Sequence, residues 1–456
     1  MFRLPSGTEL TIEILEKFIG QHRQDITSRY SRLHDAYISN HDILRQAAKA
    51  SYKPDNRIVV NFPKYIVDTM NGFFIGNPIK TAADDEAVSD FVEYLEQYND
   101  QDDNNAELSK LCSIYGKGYE MYYLDDEKNL CITYLSPMDA FMIYDDSIIE
   151  RPMYFVRVYK DWEGNEFGSV SNSYGVRHFQ ITGGTRFTDE DWEAHYFPDV
   201  PATEYLENEE RQGIFEPVLS MVNAYNKAIS EKANDVDYFA DAYLKIIGAK
   251  VDNEDAQHIR DNRLINFYAD GGEECNVVAE FLGKPSADEA QENLLERLER
   301  LIFAISMVAN ISDENFGSAT GVALKYKLQA MSNLAKTKER KFTSGMNRRY
   351  KILFGHPVSK VPADAWVQLS YKFTNNIPAN LLEEAQIAAH IEGIVSHETQ
   401  LKVLSIVDNV QDEMDKIEEE NKPAERTPVD NAMFGSPLFG VATEAPETEE
   451  VTDDEQ

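Results

Sequence analysis

The chain reads as an α+β protein, mainly α. Three observations carry that reading. Two long runs, 286–308 and 322–354, place apolar residues at helical spacing. Between Tyr119 and Trp192 lie short segments rich in Tyr, Ile, Val and Phe. From about Gln411 the sequence turns acidic and proline-bearing. With 456 residues, 42% of them hydrophobic, the chain can bury a sizeable core and is long enough for more than one domain.

Thr8 to about Lys49 is helical in pattern, with Leu10, Ile14, Leu15, Phe18 and Ile19 on one face and Pro54 marking the exit. Pro63–Phe74 and Glu86–Tyr98 follow as helices separated by Gly76-Asn77-Pro78, and Asp100–Asn105 reads as an acidic surface connection. Strands are expected at Glu120–Leu124, Leu130–Leu135, Phe141–Tyr144 and Tyr154–Tyr159, with turns at Asp125-Asp126 and Ser136-Pro137. The β-rich part continues through Trp162–Trp192, with turn signals at Glu163-Gly164-Asn165 and Thr182-Gly183-Gly184.

Pro217 sits in the favoured first-turn position of a helix that runs through Val222, Tyr225, Ile229, Val236, Phe239 and Leu244 to a terminating Gly248. Leu264–Tyr268 and Asn276–Phe281, joined around Asp270-Gly271-Gly272, read as a β-hairpin. Ser286 and Glu289 form a reciprocal capping pair for the next helix, whose stripe is Leu294, Leu295, Leu298, Leu301, Ile302, Ile305 and Val308. The helix after it runs from Val322 to about Phe354, weakened only by Gly345. Trp366–Phe373 alternates as a strand, and Asn380 to about Glu420 is helical.

Between the two long helices lies Asp313-Glu314-Asn315-Phe316-Gly317-Ser318-Ala319-Thr320-Gly321. Its glycines admit backbone angles other residues resist, and its small side chains let it change shape cheaply. A flexible helix–helix connection accounts for this much. A phosphate-cradling loop is excluded, because Val322 and Ala323 follow Gly321 where Lys and then Ser or Thr would be needed.

No apolar run approaches the roughly twenty residues that cross a bilayer, and Arg3, Glu9, Glu13, Glu16 and Lys17 interrupt what a signal peptide keeps apolar. Cys112, Cys131 and Cys275 are odd in number and far apart, which favours free thiols over a disulfide framework or zinc site. His390 and His397 lack acidic or thiol partners at ligand spacing, so solvated histidines are the better reading. Asp139, Asp145 and Asp146 sit at strand turns, where acids are common. A net charge of -36 argues against tight, sequence-independent binding of free duplex, which needs Lys and Arg to release counterions. Beyond Glu420 the acids, Pro423, Pro428, Pro437 and Pro446, and apolar patches as short as Met433-Phe434 and Leu438-Phe439 predict a disordered tail. The helix after the loop is the most basic part of the chain, with Lys325, Lys327, Lys336, Lys338, Arg340, Lys341, Arg348, Arg349 and Lys351. A solvated or subunit-bridging face is preferred there over DNA contact, with Lys325 and Lys327 kept as exceptions beside the loop.

The run Asp313–Leu328 resembles the tunnel-loop region of phage portal proteins, the ring-forming channel proteins of long-tailed double-stranded DNA phages. Other blocks recur in that family's order: Tyr37 with His41-Asp42-Ile43, Lys53 to Asn61, Ile66-Val67-Asp68, Gly76-Asn77-Pro78-Ile79, Tyr115 to Glu120, and Gly393-Ile394-Val395-Ser396 with Thr399 and Leu401. Two departures stand out. Ser39-Asn40 replaces a glycine common before the histidine, and Ala309-Asn310 replaces a common proline, which leaves open how sharply the channel helix ends.

The resemblance implies a portal fold: wing (1–215, helical and then β-rich), first stem helix (216–248), clip (249–285), second stem helix (286–310), tunnel loop (311–324), long wing helix with return strand (325–375), crown (376–420) and disordered acidic tail (421–456). It further implies a homo-oligomeric ring, a dodecamer, at one capsid vertex of the virion, built from chains made in the host cytoplasm. Double-stranded DNA would pass through it during packaging and ejection. Its partners would be the terminase large subunit, a head–tail adaptor, scaffold and major capsid protein, with no membrane, no cofactor and no catalytic residue. Asn315, Phe316, Gly317, Ser318, Ala319, Thr320 and Gly321 would line the DNA channel, with Lys325 and Lys327 facing DNA. Arg260, Arg263 and Tyr268 in the clip would dock the motor and neck. Two other classes remain open on the residues alone: a metal-dependent nuclease using Asp139, Asp145 and Asp146, and a scaffold or adaptor without a channel.

Overall fold

A computed structural model describes residues 2–50, 53–240, 244–247, 264–267, 278–281, 288–311, 326–376, 381–404, 406–407 and 410–421. The chain divides into two compact units, Met1–Pro378 and Ala379–Gln456.

The first unit opens with a strand absent from the sequence reading. β1 (Phe2–Leu4) buries Phe2 and Leu4 and turns Arg3 outward, the two-residue period of a strand. Helix α1 (Ile12–Asp25) is capped by the Thr11 side chain and buries Leu15, Phe18 and Ile19 as their spacing predicts. It passes through a π-helical turn (Ile26–Tyr30) into α2 (Ser31–Tyr37). The helical pattern expected to reach Lys49 ends here, where Ser39 takes φ +70 and only a short 3-10 turn follows at Asp42–Arg45. Helix α3 (Phe62–Ile75) starts at an Asn61 cap with Pro63 in its first turn, and strand β2 (Lys80–Ala82) leads to α4 (Glu86–Tyr98), capped by Asp85. The expected acidic connection at Asp100–Asn105 is instead the start of helix α5 (Gln101–Tyr115). Asp102 and Asp103 lie in its first turn, where carboxylates oppose the positive end of the helix dipole.

Strands β3 (Lys117–Leu124), β4 (Leu130–Leu135), β5 (Ala140–Asp145) and β6 (Pro152–Lys160) match the expected four within a few residues. β7 (Glu166–Ser171), β8 (Gly175–Gln180), β9 (Arg186–Phe187), β10 (Glu193–Ala194) and β11 (Ala202–Leu206) complete the region. The predicted turns at Glu163-Gly164-Asn165 and Thr182-Gly183-Gly184 carry glycines in the left-handed region, Gly164 at φ +87 and Gly183 at φ +83. One sheet runs β1-β5-β6-β7-β8-β10, with β9 beside β8; another runs β11-β3-β4. The alternation along β5 assigns its two faces. Phe141 and Ile143 pack with α1 and β1, whereas Ala140, Met142 and Tyr144 pack with Tyr119, Val200 and Ala202.

Helix α6 (Leu219–Ala240) follows a 3-10 turn over Glu216–Val218. It stops short of the expected Gly248, because Leu244–Ile247 forms strand β12. The proposed hairpin is also corrected. β13 (Leu264–Phe267) and β14 (Val278–Phe281) do not pair with each other but flank β12, parallel on one side and antiparallel on the other. Helix α7 (Asp288–Ser306) and helix α8 (Gln329–Phe354) are the two long runs. The Ser286 cap lies outside the described residues. Of the expected strand Trp366–Phe373, only β15 (Ser370–Lys372) is strand, paired with β2, after a 3-10 turn at Ala365–Gln368.

Most of the helices share one core, in which Ile66, Val67, Met70, Leu108, Val222, Ile302, Phe342 and Met346 are essentially inaccessible. Each such side chain contributes roughly 1.5–3 kcal/mol relative to exposure. Gly345, a weak point of α8 by propensity, has a packing reason: a Cβ there would fall on the ring of Tyr205. Among the described residues of the second unit are three helices, α9 (Leu381–Ile391), α10 (His397–Leu401) and α11 (Val410–Asn421), in the stretch expected to be helical. The tail beyond Asn421 lies outside the described residues. Among the described residues no helix is long and apolar enough to cross a membrane.

Candidate functional site

The glycine-rich segment between α7 and α8 is the feature the sequence singles out. Asn315, Phe316, Gly317, Ser318, Ala319, Thr320, Gly321 and Lys325 lie outside the described residues, as do Arg260, Arg263 and Tyr268. What the structure defines is how the segment's two ends are held.

At the first end, α7 stops at Ser306 rather than running to Asn310. Met307 takes φ +59, a left-handed turn that ends the helix without a proline. Val308 then returns to the core at 2% exposure. The Asn310 side-chain Nδ2 donates to Glu299 Oε1 on α7 at 3.2 Å, and the Ile311 backbone amide donates to the hydroxyl of Tyr65 on α3 at 2.8 Å. The Tyr65 ring stands edge-on to Phe303 at 5.5 Å between centroids. Phe303 also meets Phe62, which meets Tyr225 of α6. Four rings therefore join α3, α6 and α7 directly beneath this foot. At the second end, Leu328 is buried in the same core. Between the feet lies a hollow of about 320 Å³ bordered by Phe303, Met307, Val308, Asn310, Lys327 and Ala330. Lys327, the one candidate basic residue within the described residues, is exposed at this hollow.

Helix α6 is fixed by an arrangement the sequence reading missed. Asn226, Ser230 and Asn234, four residues apart and all buried, accept hydrogen bonds from the backbone amides of Val60, Ile58 and Asn56 at 2.9, 2.9 and 2.6 Å. The geometry explains the match. Four helical residues rise about 6 Å, and two extended residues rise about 6.6 Å, so every second amide of an extended segment meets a new helical turn. Asn226 Nδ2 donates to His41 Nδ1 at 3.0 Å, which leaves the proton of the neutral ring on Nε2. Burial lowers the His41 pKa. The sequence blocks at His41 and Lys53–Asn61 are thus the seat of this helix. The available signal was the recurrence of Asn226, Ser230 and Asn234 at four-residue spacing, uncharged polar residues sharing one face of the helix.

The basic cluster on α8 is not one exposed face: two of its members lie in the core. Lys338 is buried and donates to Ser109 O at 2.9 Å and Ser113 Oγ at 2.6 Å, and pairs with Glu207 at 2.8 Å. Arg349, also buried, grips both carboxylate oxygens of Glu120 and donates to Asn105 Oδ1 at 2.6 Å. Arg348 pairs with Asp199 at 2.8 Å, and Lys341 with Glu209. These four therefore brace α8 within the chain, Lys338 and Arg349 from the core and Lys341 and Arg348 from partly exposed positions, whereas Lys336, Arg340 and Lys351 are exposed. Nearby, the Glu204 side chain is largely enclosed. Burial alone would raise its pKa, but Lys117, Arg211 and the Tyr144 hydroxyl outweigh that and lower it.

Among the described residues no group of His, Cys, Asp or Glu side chains is placed to hold a metal. Asp145 acts as a turn acid, its Oδ1 accepting from Ser147 Oγ at 2.7 Å and the Arg151 amide at 2.8 Å. Asp146 Oδ1 accepts from the Ser6 amide at 3.2 Å. Asp145 is thus committed to its own turn and Asp146 to the segment after β1.

A pair of long helices joined through a glycine-rich segment, seated on a mixed α/β body, agrees with the class that the sequence resembles, the phage portal proteins. The sequence model of the family described as Phage portal protein, SPP1 Gp6-like, matches residues 16–427, and the chain belongs to that family. A portal protein of Clostridium phage phiCD119 is 23% identical over 432 residues, covering 86% of this chain and 92% of its own length. A portal protein of Bacillus phage SPP1 is 22% identical over 393 residues, covering 81% of this chain and 76% of its own length. Among solved structures, a chain in the neck of an empty GTA particle has a TM-score of 0.43 at 13% identity, covering 82% of this chain and 92% of that one.

Proposed function

We propose that this portal-family chain forms a ring of about twelve copies at one capsid vertex, with a closed head-to-tail interface. Double-stranded DNA enters through the ring during packaging, is retained by it, and leaves through it at ejection. The observation that carries the reading is the placement of the glycine-rich segment in a chain matched to the family over residues 16–427: both its feet are seated in the main core. On this reading Asn315–Gly321 of each copy meet the duplex through small side chains, with Lys325 and Lys327 beside them. The glycines let neighbouring segments differ as the DNA, whose symmetry does not match the ring, moves past.

The region between α6 and α7 is the clip, in which Arg260, Arg263 and Tyr268 dock the terminase large subunit and later the head–tail adaptor. Scaffold and major capsid protein contact the ring from the shell. The α9–α11 unit forms the crown. The chain supplies no catalytic group, and ATP hydrolysis belongs to the motor.

Negative-stain microscopy of the concentrated full chain, paired with its mass in solution, tests the ring. Rings with a hole wide enough for a duplex of about 20 Å are the expected result. A compact closed oligomer without a channel would overturn the reading. Within that test, the double substitution Gly317→Pro and Gly321→Pro should leave rings intact and deplete filled heads when it replaces the portal protein of a growing phage; normal filled-head yield would remove the segment from the mechanism.

A further inference from the structure

The geometry points to Tyr65 as the residue that positions the first foot of the glycine-rich segment through its hydroxyl, an inference that rests on the proposed channel role of that segment. Three observations converge on it. Helix α7 ends at Ser306 through the left-handed Met307, so nothing helical directs the chain from Val308 onward. The Ile311 side chain is half exposed, so burial does not fix that residue either. Its amide nevertheless donates to Tyr65 Oη at 2.8 Å.

Tyr65 is itself held firmly. It stands on α3, flanked by Ile66 and Val67 at 0% exposure, and its ring packs edge-on against Phe303. The Asn310–Glu299 bond restrains the same foot toward α7. The chain thus leaves the body referenced to two helices at once. Without the hydroxyl the foot is held only toward α7, through the Asn310–Glu299 bond one residue earlier, and the Ile311 backbone loses its reference to α3. Because the bond is open to solvent, its removal costs little global stability. Its effect falls on where the segment starts.

The test compares full-length wild type, Tyr65→Phe and Tyr65→Ala by ring yield, melting temperature, amide hydrogen exchange at Ile311 and filled-head yield in a phage that depends on the chain. For Tyr65→Phe the expected result is unchanged ring yield and melting temperature, roughly fivefold faster exchange at Ile311, and a loss of filled heads. Unchanged exchange at Ile311 overturns the assignment. So does a silent Tyr65→Phe beside a defective Tyr65→Ala, which would give the role to ring packing on Phe303. Faster exchange with normal filled heads overturns the functional half. If wild type forms no channel-bearing rings, the channel reading fails on its own, and the exchange comparison still decides the foot.

Discussion

Arg349 illustrates what a residue's type conceals and its position reveals. Counted by composition it belongs to a basic cluster. Counted by spacing, Met331, Ala335, Lys338, Phe342, Gly345 and Arg349 step by four and three along α8, and all are buried. The apolar members of that stripe are legible in the sequence, whereas Lys338 and Arg349 read there as part of a solvated or subunit-bridging basic cluster. What the sequence does not show is that Glu120 and Glu207, more than a hundred residues upstream, wait at those positions. Removing one partner of such a pair leaves an uncompensated charge in the core, whereas removing both leaves none. Glu120→Ala should therefore lower unfolding free energy by roughly 3–5 kcal/mol in chemical denaturation, and Glu120→Ala with Arg349→Met should recover much of that loss. A double variant no better than the single would mean that the pair contributes through packing rather than charge compensation.

At the scale of elements, local signals were read well and distant pairings were not. α4 matches its expected bounds because Asp85 caps it and an apolar stripe runs its length. α3 starts where Pro63 announces it. Strand β12 was missed because Leu244-Lys245-Ile246-Ile247 is equally compatible with the end of a helix, and its partners β13 and β14 come later in the chain. α5 was missed because acids in a first turn look like a surface loop. For the segment between α7 and α8 the sequence located the feature and the structure supplied only its feet, while the proposed contacts at Arg260, Arg263 and Tyr268 remain expectations. The ladder on α6 shows why long-range polar matches escape a linear reading: its acceptors and donors are about 170 residues apart. Ser230→Ala deletes one rung and leaves the Ile58 amide unpaired, which should cost about 1–3 kcal/mol of stability. Lys227→Ala, on an exposed turn of the same helix, should stay within about 0.5 kcal/mol. Equal effects of the two substitutions in thermal melts would show that the ladder is incidental to the seating of α6.

For the whole molecule the governing quantity is charge. The chain carries 80 acidic and 44 basic residues, a net of -36. Several of the cations are spent inside it: Arg29 on Glu216, Lys117 and Arg211 on Glu204, Lys338 on Glu207, Arg348 on Asp199 and Arg349 on Glu120. These six cations meet only five acids, since Lys117 and Arg211 share Glu204, so the acidic excess falls on the remaining surface with fewer positive charges to offset it. Copies brought together in the proposed ring therefore repel at long range, and association must be driven by short-range apolar and hydrogen-bonded contacts. Salt separates the two. The screening length falls from about 10 Å at 0.1 M to about 3 Å at 1 M, which weakens repulsion between surfaces and leaves apolar contacts intact. The ring fraction measured by analytical ultracentrifugation at fixed protein concentration should therefore rise as sodium chloride is raised through this range. A ring fraction that falls with salt would mean that complementary ion pairs between copies hold the assembly, and that exposed cations such as Lys336, Arg340 and Lys351 on α8 are committed to a neighbour's acids.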